Sequence, residues 1–220
     1  MSLNCKTPAD VLKTLKDDEI NFVDLRFTDP RGKWQHLTMT TEFIDENSFT
    51  DGIMFDGSSI AGWKDIAESD MCLLPDPDSA VLDPFSAQVS LILFCDVLEP
   101  TTGQAYSRDP RSAARRAEAY LKSSGVGDTA FFGPELEFFM FDDVRYDVSM
   151  NSTFYAIDEQ EGPYNAGRAF EHGNTGHRPP IKGGYFPVPP VDSANDLRAE
   201  IVTVMGEMGL SMEKHHHEVA

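Results

Sequence analysis

The sequence predicts an α+β chain in two units, and three observations carry that expectation. A short amphipathic helix leads into strand-like segments that end in one long apolar run, VSLILFCDVLE. A polar connector, PTTGQAYSRDPR, separates this block from a second one in which helices and strand-like runs alternate. With 40% hydrophobic and 25% charged side chains over 220 residues, the composition suits a packed core and excludes wholesale disorder. The expected units are 1–104 and 105–220.

Each element has a local reason. In TPADVLKTLKDDE, Thr7 is the N-cap, Pro8 takes the first helical position, and Val11, Leu12 and Leu15 make one apolar stripe. INFVDLRFTD alternates at strand spacing, PRGK turns the chain, and WQHLTMT returns as the second arm of a hairpin. From Thr41 to Asp83 the pattern breaks into loops rich in Gly, Ser, Asp and Pro. VSLILFCDVLE then predicts a strand buried on both faces. In the second block, RSAARRAEAYLKSSG predicts a helix stopped by Gly125. TAFFGPELEFFMFDDVRYDV predicts a strand, and residues 149–180 an extended loop. SANDLRAEIVTVMGEMGL predicts a helix capped by Ser193 or Asn195, and EKHHHEVA a closing strand. Such a second block leaves apolar faces that nothing within it can cover, which points to an incomplete functional unit.

Charge and cysteines bound the function. Thirty-seven acidic against 18 basic residues give a net charge of −19, a field that repels nucleic acid and anionic membranes. Most of that excess is expected to be a solvated surface. Cys5, Cys72 and Cys95 are odd in number and widely spaced, which suggests reduced thiols in a cytoplasmic protein. Charged residues interrupt the N-terminal region, and no run reaches the roughly 20 apolar residues that span a bilayer.

GPELEFF carries the most chemistry. In a strand, Glu135 and Glu137 share a face while Leu136 and Phe138 take the other. Two carboxylates about 6–7 Å apart beside aromatic rings suit a hard divalent cation, Mg²⁺ or Mn²⁺. A wet edge strand gives the same alternation. EKHHHEVA supplies a further candidate ligand: His216 and Glu218 share one face of an extended segment, His215 and His217 the other. A zinc site built on the histidines is an alternative at this point. MFDGSSIAGW gathers Asp56, Ser58, Ser59 and Trp63 around three glycines, and KGGYFPVPP sets Lys182 and Tyr185 about a Gly-Gly hinge. Either could be an ordinary connector or a ligand loop.

Taken together and in this order, MFDGSSIAGW, GPELEFFMFD, KGGYFPVPP and EKHHHEVA resemble the N-terminal portion of bacterial type I glutamine synthetases. RFTDPRGKWQH and LPDPDSAVLDPF fit the same family, and the resemblance covers essentially the whole chain. It implies a β-grasp-like N-terminal domain followed by the start of a catalytic domain with a curved antiparallel sheet. It also implies roles. Glu137 and Glu218 would bind one divalent metal, Glu135 the second, and Glu213 would belong to ATP binding. Asp56, Ser59, Tyr185 and Glu218 would form the ammonium site, with Asp56 and Ser59 donated across a subunit boundary of a double-ring dodecamer.

The implied reaction joins ammonia to glutamate with ATP through γ-glutamyl phosphate. Two divalent ions align the phosphoryl transfer, and a carboxylate such as Asp56 deprotonates ammonium. The family pattern continues past HHHEVA with further metal ligands and arginines, so the chain alone is expected to be inactive. Two alternatives remain open: a superfamily ligase using an organic amine, and a non-catalytic piece that contributes surfaces to a ring.

Overall fold

Capping at Thr7 starts the first helix of the computed structural model, which describes residues 3–162 and 177–220. In α1 (Pro8–Asp17) the Thr7 hydroxyl accepts from the Asp10 amide, and the Asp10 carboxylate accepts from the Thr7 amide. This reciprocal box satisfies donors that the first helical turn leaves open. Val11 and Leu15 join the apolar core.

The predicted hairpin forms as β1 (Phe22–Thr28) and β2 (Trp34–Thr40), antiparallel from Phe22↔Thr40 to Thr28↔Trp34. Asp29 closes its turn by accepting from the amides of Arg31 and Lys33. A short helix, α2 (Asn47–Thr50), precedes β3 (Ile53–Asp56), β4 (Asp70–Pro75) and β5 (Val81–Leu82). These three strands correct the expectation of loops from Thr41 to Asp83. They span two to six residues, too short to show a period, and β4 and β5 find their partners in β6 (Ser90–Leu98). Only the β3–β4 pair is local.

β6 organises the sheet, whose order is β2-β1-β6-β4-β3. Its first half pairs parallel with β1 and antiparallel with β5; its second half pairs antiparallel with β4. Leu91, Leu93 and Val97 are wholly buried, as the apolar run predicted.

α3 (Pro110–Ser124) is anchored at both ends of its sequence signal. Buried Asp109 accepts from the amides of Arg111 and Ser112, from the Ser112 hydroxyl and from the β6 amide of Val97. Gly125 ends the helix at φ 72°, a left-handed conformation that glycine adopts without strain. Arg111 and Arg115 each pair with both Asp76 and Asp96, which ties the helix to the sheet. The chain's two compact units are Met1–Phe132 with Glu207–Gly209, and Gly133–Gly206 with Leu210–Ala220. By its contacts, α3 groups with the first unit.

The second unit holds β7 (Asp143–Val148), β8 (Thr153–Asp158) and α4 (Asn195–Glu207). β7 and β8 pair from Asp143↔Asp158 to Val148↔Thr153. β8 corrects the reading of 149–180 as loop throughout; residues 163–176 of that span lie outside the described residues. Of the predicted strand from Thr129, only its last part becomes β7, and residues 129–141 form no strand. A strand needs a neighbour for its backbone groups, and among the described residues this segment has none. EKHHHEVA also forms no named strand, although its His217 and Val219 carbonyls accept backbone hydrogen bonds. Among the described residues, no helix is long and apolar enough to cross a membrane.

Candidate active site

Two motifs singled out in the sequence meet in the second unit. The Gly184 amide donates to the Val219 carbonyl at 3.3 Å, and the Phe186 amide donates to the His217 carbonyl at 3.4 Å. These bonds bring the KGGYF turn alongside the HHHEV segment. Only glycine fits at 184: a Cβ there would lie 2.8 Å from His217 Cε1 and 2.9 Å from the Glu218 carbonyl oxygen. Tyr185 stacks on Phe186 with ring centroids 4.0 Å apart, and both rings meet His216 edge-on. Tyr185 and Glu218, expected to serve one site, thus sit on adjoining segments.

Glu218 is half-buried, and its carboxylate accepts from the Val219 amide at 2.5 Å. Beside it, His217 is held on both ring nitrogens. Nδ1 lies 2.8 Å from the Glu218 carbonyl and Nε2 lies 2.9 Å from a Glu161 carboxylate oxygen. Burial alone would lower the His217 pKa; its bonds to the Glu218 carbonyl and to Glu161 outweigh that and raise it above the ordinary value. On the α4 side, Arg198 pairs with buried Asp192 at 2.5 Å and approaches His215 Nδ1 at 3.4 Å. Sequence reasoning missed Glu161, Asp192 and Arg198. Glu161 lies in a stretch without periodicity, so spacing gave no signal for it.

The remaining candidates of this unit are not gathered. Glu135, Glu137 and Glu213 are all exposed, and the first two lie in the unladdered segment. Their carboxylate oxygens are the donor type that Mg²⁺ or Mn²⁺ prefers. Yet among the described residues no three His, Cys, Asp or Glu side chains assemble as a metal-binding group. Glu135, Glu137 and Glu218 therefore fit a divalent ion by chemistry and not by present geometry. The zinc alternative on the histidines meets the same result.

Asp56 and Ser59 belong to the first unit, where they are exposed at the end of β3. Asp56 accepts from the Ser58 hydroxyl at 2.6 Å and the Ser58 amide at 2.9 Å. These bonds hold its pKa below the usual carboxylate value. Gly57 is packed so closely that a Cβ would lie 2.4 Å from Met71 Cγ. Behind the loop, buried Trp63 packs against Phe27, Phe55 and Tyr106. Its carbonyl accepts from the Tyr106 hydroxyl and, with that of Gly62, from Arg108. Asp56 and Ser59 are thus exposed on a loop whose neighbour Trp63 is packed in an aromatic cluster.

Comparison with known proteins agrees with the family resemblance. Residues 19–100 match the family described as "Glutamine synthetase, beta-Grasp domain", and residues 107–220 match "Glutamine synthetase, catalytic domain". A glutamine synthetase of Rhizobium meliloti is 59% identical over 97% of this chain and 46% of its own length. One from Bradyrhizobium diazoefficiens is 60% identical over 98% of this chain and 46% of its own. A protein of Cupriavidus pinatubonensis named 3-hydroxylaminophenol mutase is 54% identical over 96% of this chain and 45% of its own. The chain spans about half the length of the curated relatives it matches. In fold, it superposes on a Plasmodium falciparum glutamine synthetase with a TM-score of 0.87 at 23% identity, over 100% of this chain and 43% of that one. With family models matched across both units, the chain belongs to the glutamine synthetase family, as its N-terminal portion.

Proposed function

We propose that this chain supplies the N-terminal and first catalytic parts of a glutamate–ammonia ligase, forming glutamine with ATP through γ-glutamyl phosphate. The observation that carries the reading is the pairing of KGGYF with HHHEV, which sets Tyr185 beside the segment bearing Glu218. Asp56, Ser59, Tyr185 and Glu218 would form the ammonium site, with Asp56 and Ser59 reaching a neighbouring subunit of a ring-shaped homo-oligomer, a double-ring dodecamer in the family's pattern. Exposure of Asp56 and Ser59 supports that role.

Asp56 is an exposed carboxylate, ionised at neutral pH, so it can hold NH₄⁺ by charge; hydrogen bonds from Ser58 lower its pKa further. The same bonds make it a weaker base, and proton transfer is aided if Ser58 moves away as ammonium arrives. Glu135, Glu137 and Glu218 would hold Mg²⁺ or Mn²⁺, whose charge neutralises phosphoryl oxygens. Glu213 would contribute to ATP binding. The three free, buried cysteines and the net charge of −19 support a cytoplasmic setting without nucleic acid or membrane partners.

The 220-residue chain by itself has no synthetase activity in this reading, because it spans about half the length of the curated relatives it matches. The test is glutamine formation dependent on ATP, Mg²⁺, glutamate and ammonium. A family-length protein carrying this sequence is expected to give it, and to lose it with Glu218→Ala. The purified 220-residue chain is expected to give none; turnover by that chain, free of host enzyme, would refute the inactivity. The 54% identity to a protein named as a mutase favours one second reading, a reaction on a hydroxylaminophenol. Conversion of that substrate without glutamine formation would select it.

A further inference from the structure

We propose that Glu161 is a positioning residue, bracing the HHHEV segment against the KGGYF turn and so fixing where Glu218 and Tyr185 stand. The proposal rests on the ligase reading only for what Glu218 and Tyr185 do; the brace itself is geometric.

Both carboxylate oxygens of Glu161 are engaged. One accepts from the amide of Ser193, two residues before α4, and the other lies 2.9 Å from His217 Nε2. The pair is largely shielded from water, with side-chain exposures of 12% for Glu161 and 15% for His217. In such surroundings, a hydrogen bond strongly limits movement, because losing one partner leaves the other desolvated and unsatisfied.

From His217 the connection runs directly into the candidate site. Its other ring nitrogen lies 2.8 Å from the Glu218 carbonyl, and its own carbonyl accepts from the Phe186 amide. The next accepting carbonyl, that of Val219, takes the Gly184 amide. Tyr185 lies between those two donors. A continuous path therefore leads from the start of α4 through Glu161 and His217 to the backbone on either side of Tyr185 and Glu218. Close packing of Gly184 on His217 and Glu218 leaves no slack for another register. Glu161 ties this arrangement to the start of α4 at His217, beside the separate approach of Arg198 to His215.

Residue-resolved NMR on the 220-residue chain tests this through solvent exchange of the Gly184 and Phe186 amides and the ring-nitrogen signals of His217. Glu161→Ala is expected to speed exchange at both amides by about tenfold or more, with shifted His217 signals and unchanged amides in β1 and β6. Glu161→Gln is expected to restore most of the protection. Its oxygen still accepts from Ser193, and its amide group donates to a neutral Nε2. Wild-type exchange in Glu161→Ala would overturn the proposal, as would failure of Glu161→Gln to restore protection while β7 and β8 stay protected. If Glu161→Ala unfolds the whole second unit, the glutamine variant carries the test alone, with retained protection supporting the brace and selective loss overturning it. No turnover is needed, so failure of the brace and failure of the ligase reading are distinguished.

Discussion

Leu91, Leu93 and Val97 of β6 are wholly buried, whereas Leu136, Phe138 and Phe139 of the second unit are 78%, 56% and 64% exposed. Both segments are runs rich in apolar residues, and both read as strands from sequence. They differ in their neighbours. β6 has β1 and β5 along its first half and β4 along its second, so its backbone is laddered and its side chains reach a shared core. Residues 129–141 have no ladder partner among the described residues, and their apolar side chains remain in water. Burying one such side chain is worth about 1.5–3 kcal/mol, so the same type of residue is structural in one unit and nearly silent in the other.

Mutations can break or sharpen this contrast. The largest effect belongs to Leu93→Ala, which leaves a cavity at the centre of the sheet; about 3 kcal/mol of unfolding free energy should be lost in urea titration. A loss under 1 kcal/mol would mean that the first unit is less tightly packed than described. Asp109→Ala should cost about 2 kcal/mol, since it removes the α3 cap and leaves donors from Ser112 and Val97 unsatisfied. Its effect should appear in the same cooperative transition as Leu93→Ala, because α3 belongs to the first unit.

pH offers a subtler probe. Burial opposes the charge of Asp24, but hydrogen bonds from His36, Arg26 and Thr38 outweigh it and hold the folded pKa below the ordinary carboxylate value. A pKa lower in the folded than in the unfolded state stabilises the fold above the unfolded value of about 4 and is lost as pH falls through the folded value. Stability of the first unit should therefore decline below about pH 4, and Asp24→Asn should flatten that part of the profile. The smallest effect is expected from Phe139→Ala, within about 0.5 kcal/mol of wild type. A loss comparable with that of Leu93→Ala would show that the ring is buried and would end the contrast.

Legibility from sequence followed local chemistry. Thr7, the PRGK turn and Gly125 are governed by bonds within a few residues, and the elements they delimit appeared where expected. β3, β4 and β5 were invisible because they are brief and depend largely on pairing with β6. The GPELEFF strand failed for the complementary reason: alternation states which faces a strand would have, but not whether another strand is there to pair with it. At the site, the motifs KGGYF and HHHEVA were visible, and their apposition is a tertiary fact. Glu161 stayed hidden because a brace is defined by what it touches, and nothing in its neighbouring residues marks it.

Hydrogen exchange read by mass spectrometry on the intact chain tests the contrast most directly. Peptides covering β1, β4 and β6 should exchange only on global opening of the first unit, while peptides covering residues 129–141 should exchange at close to the rate of an unstructured chain. Protection of 129–141 equal to that of β6 would contradict the account, because it would require backbone partners that the described fold does not provide.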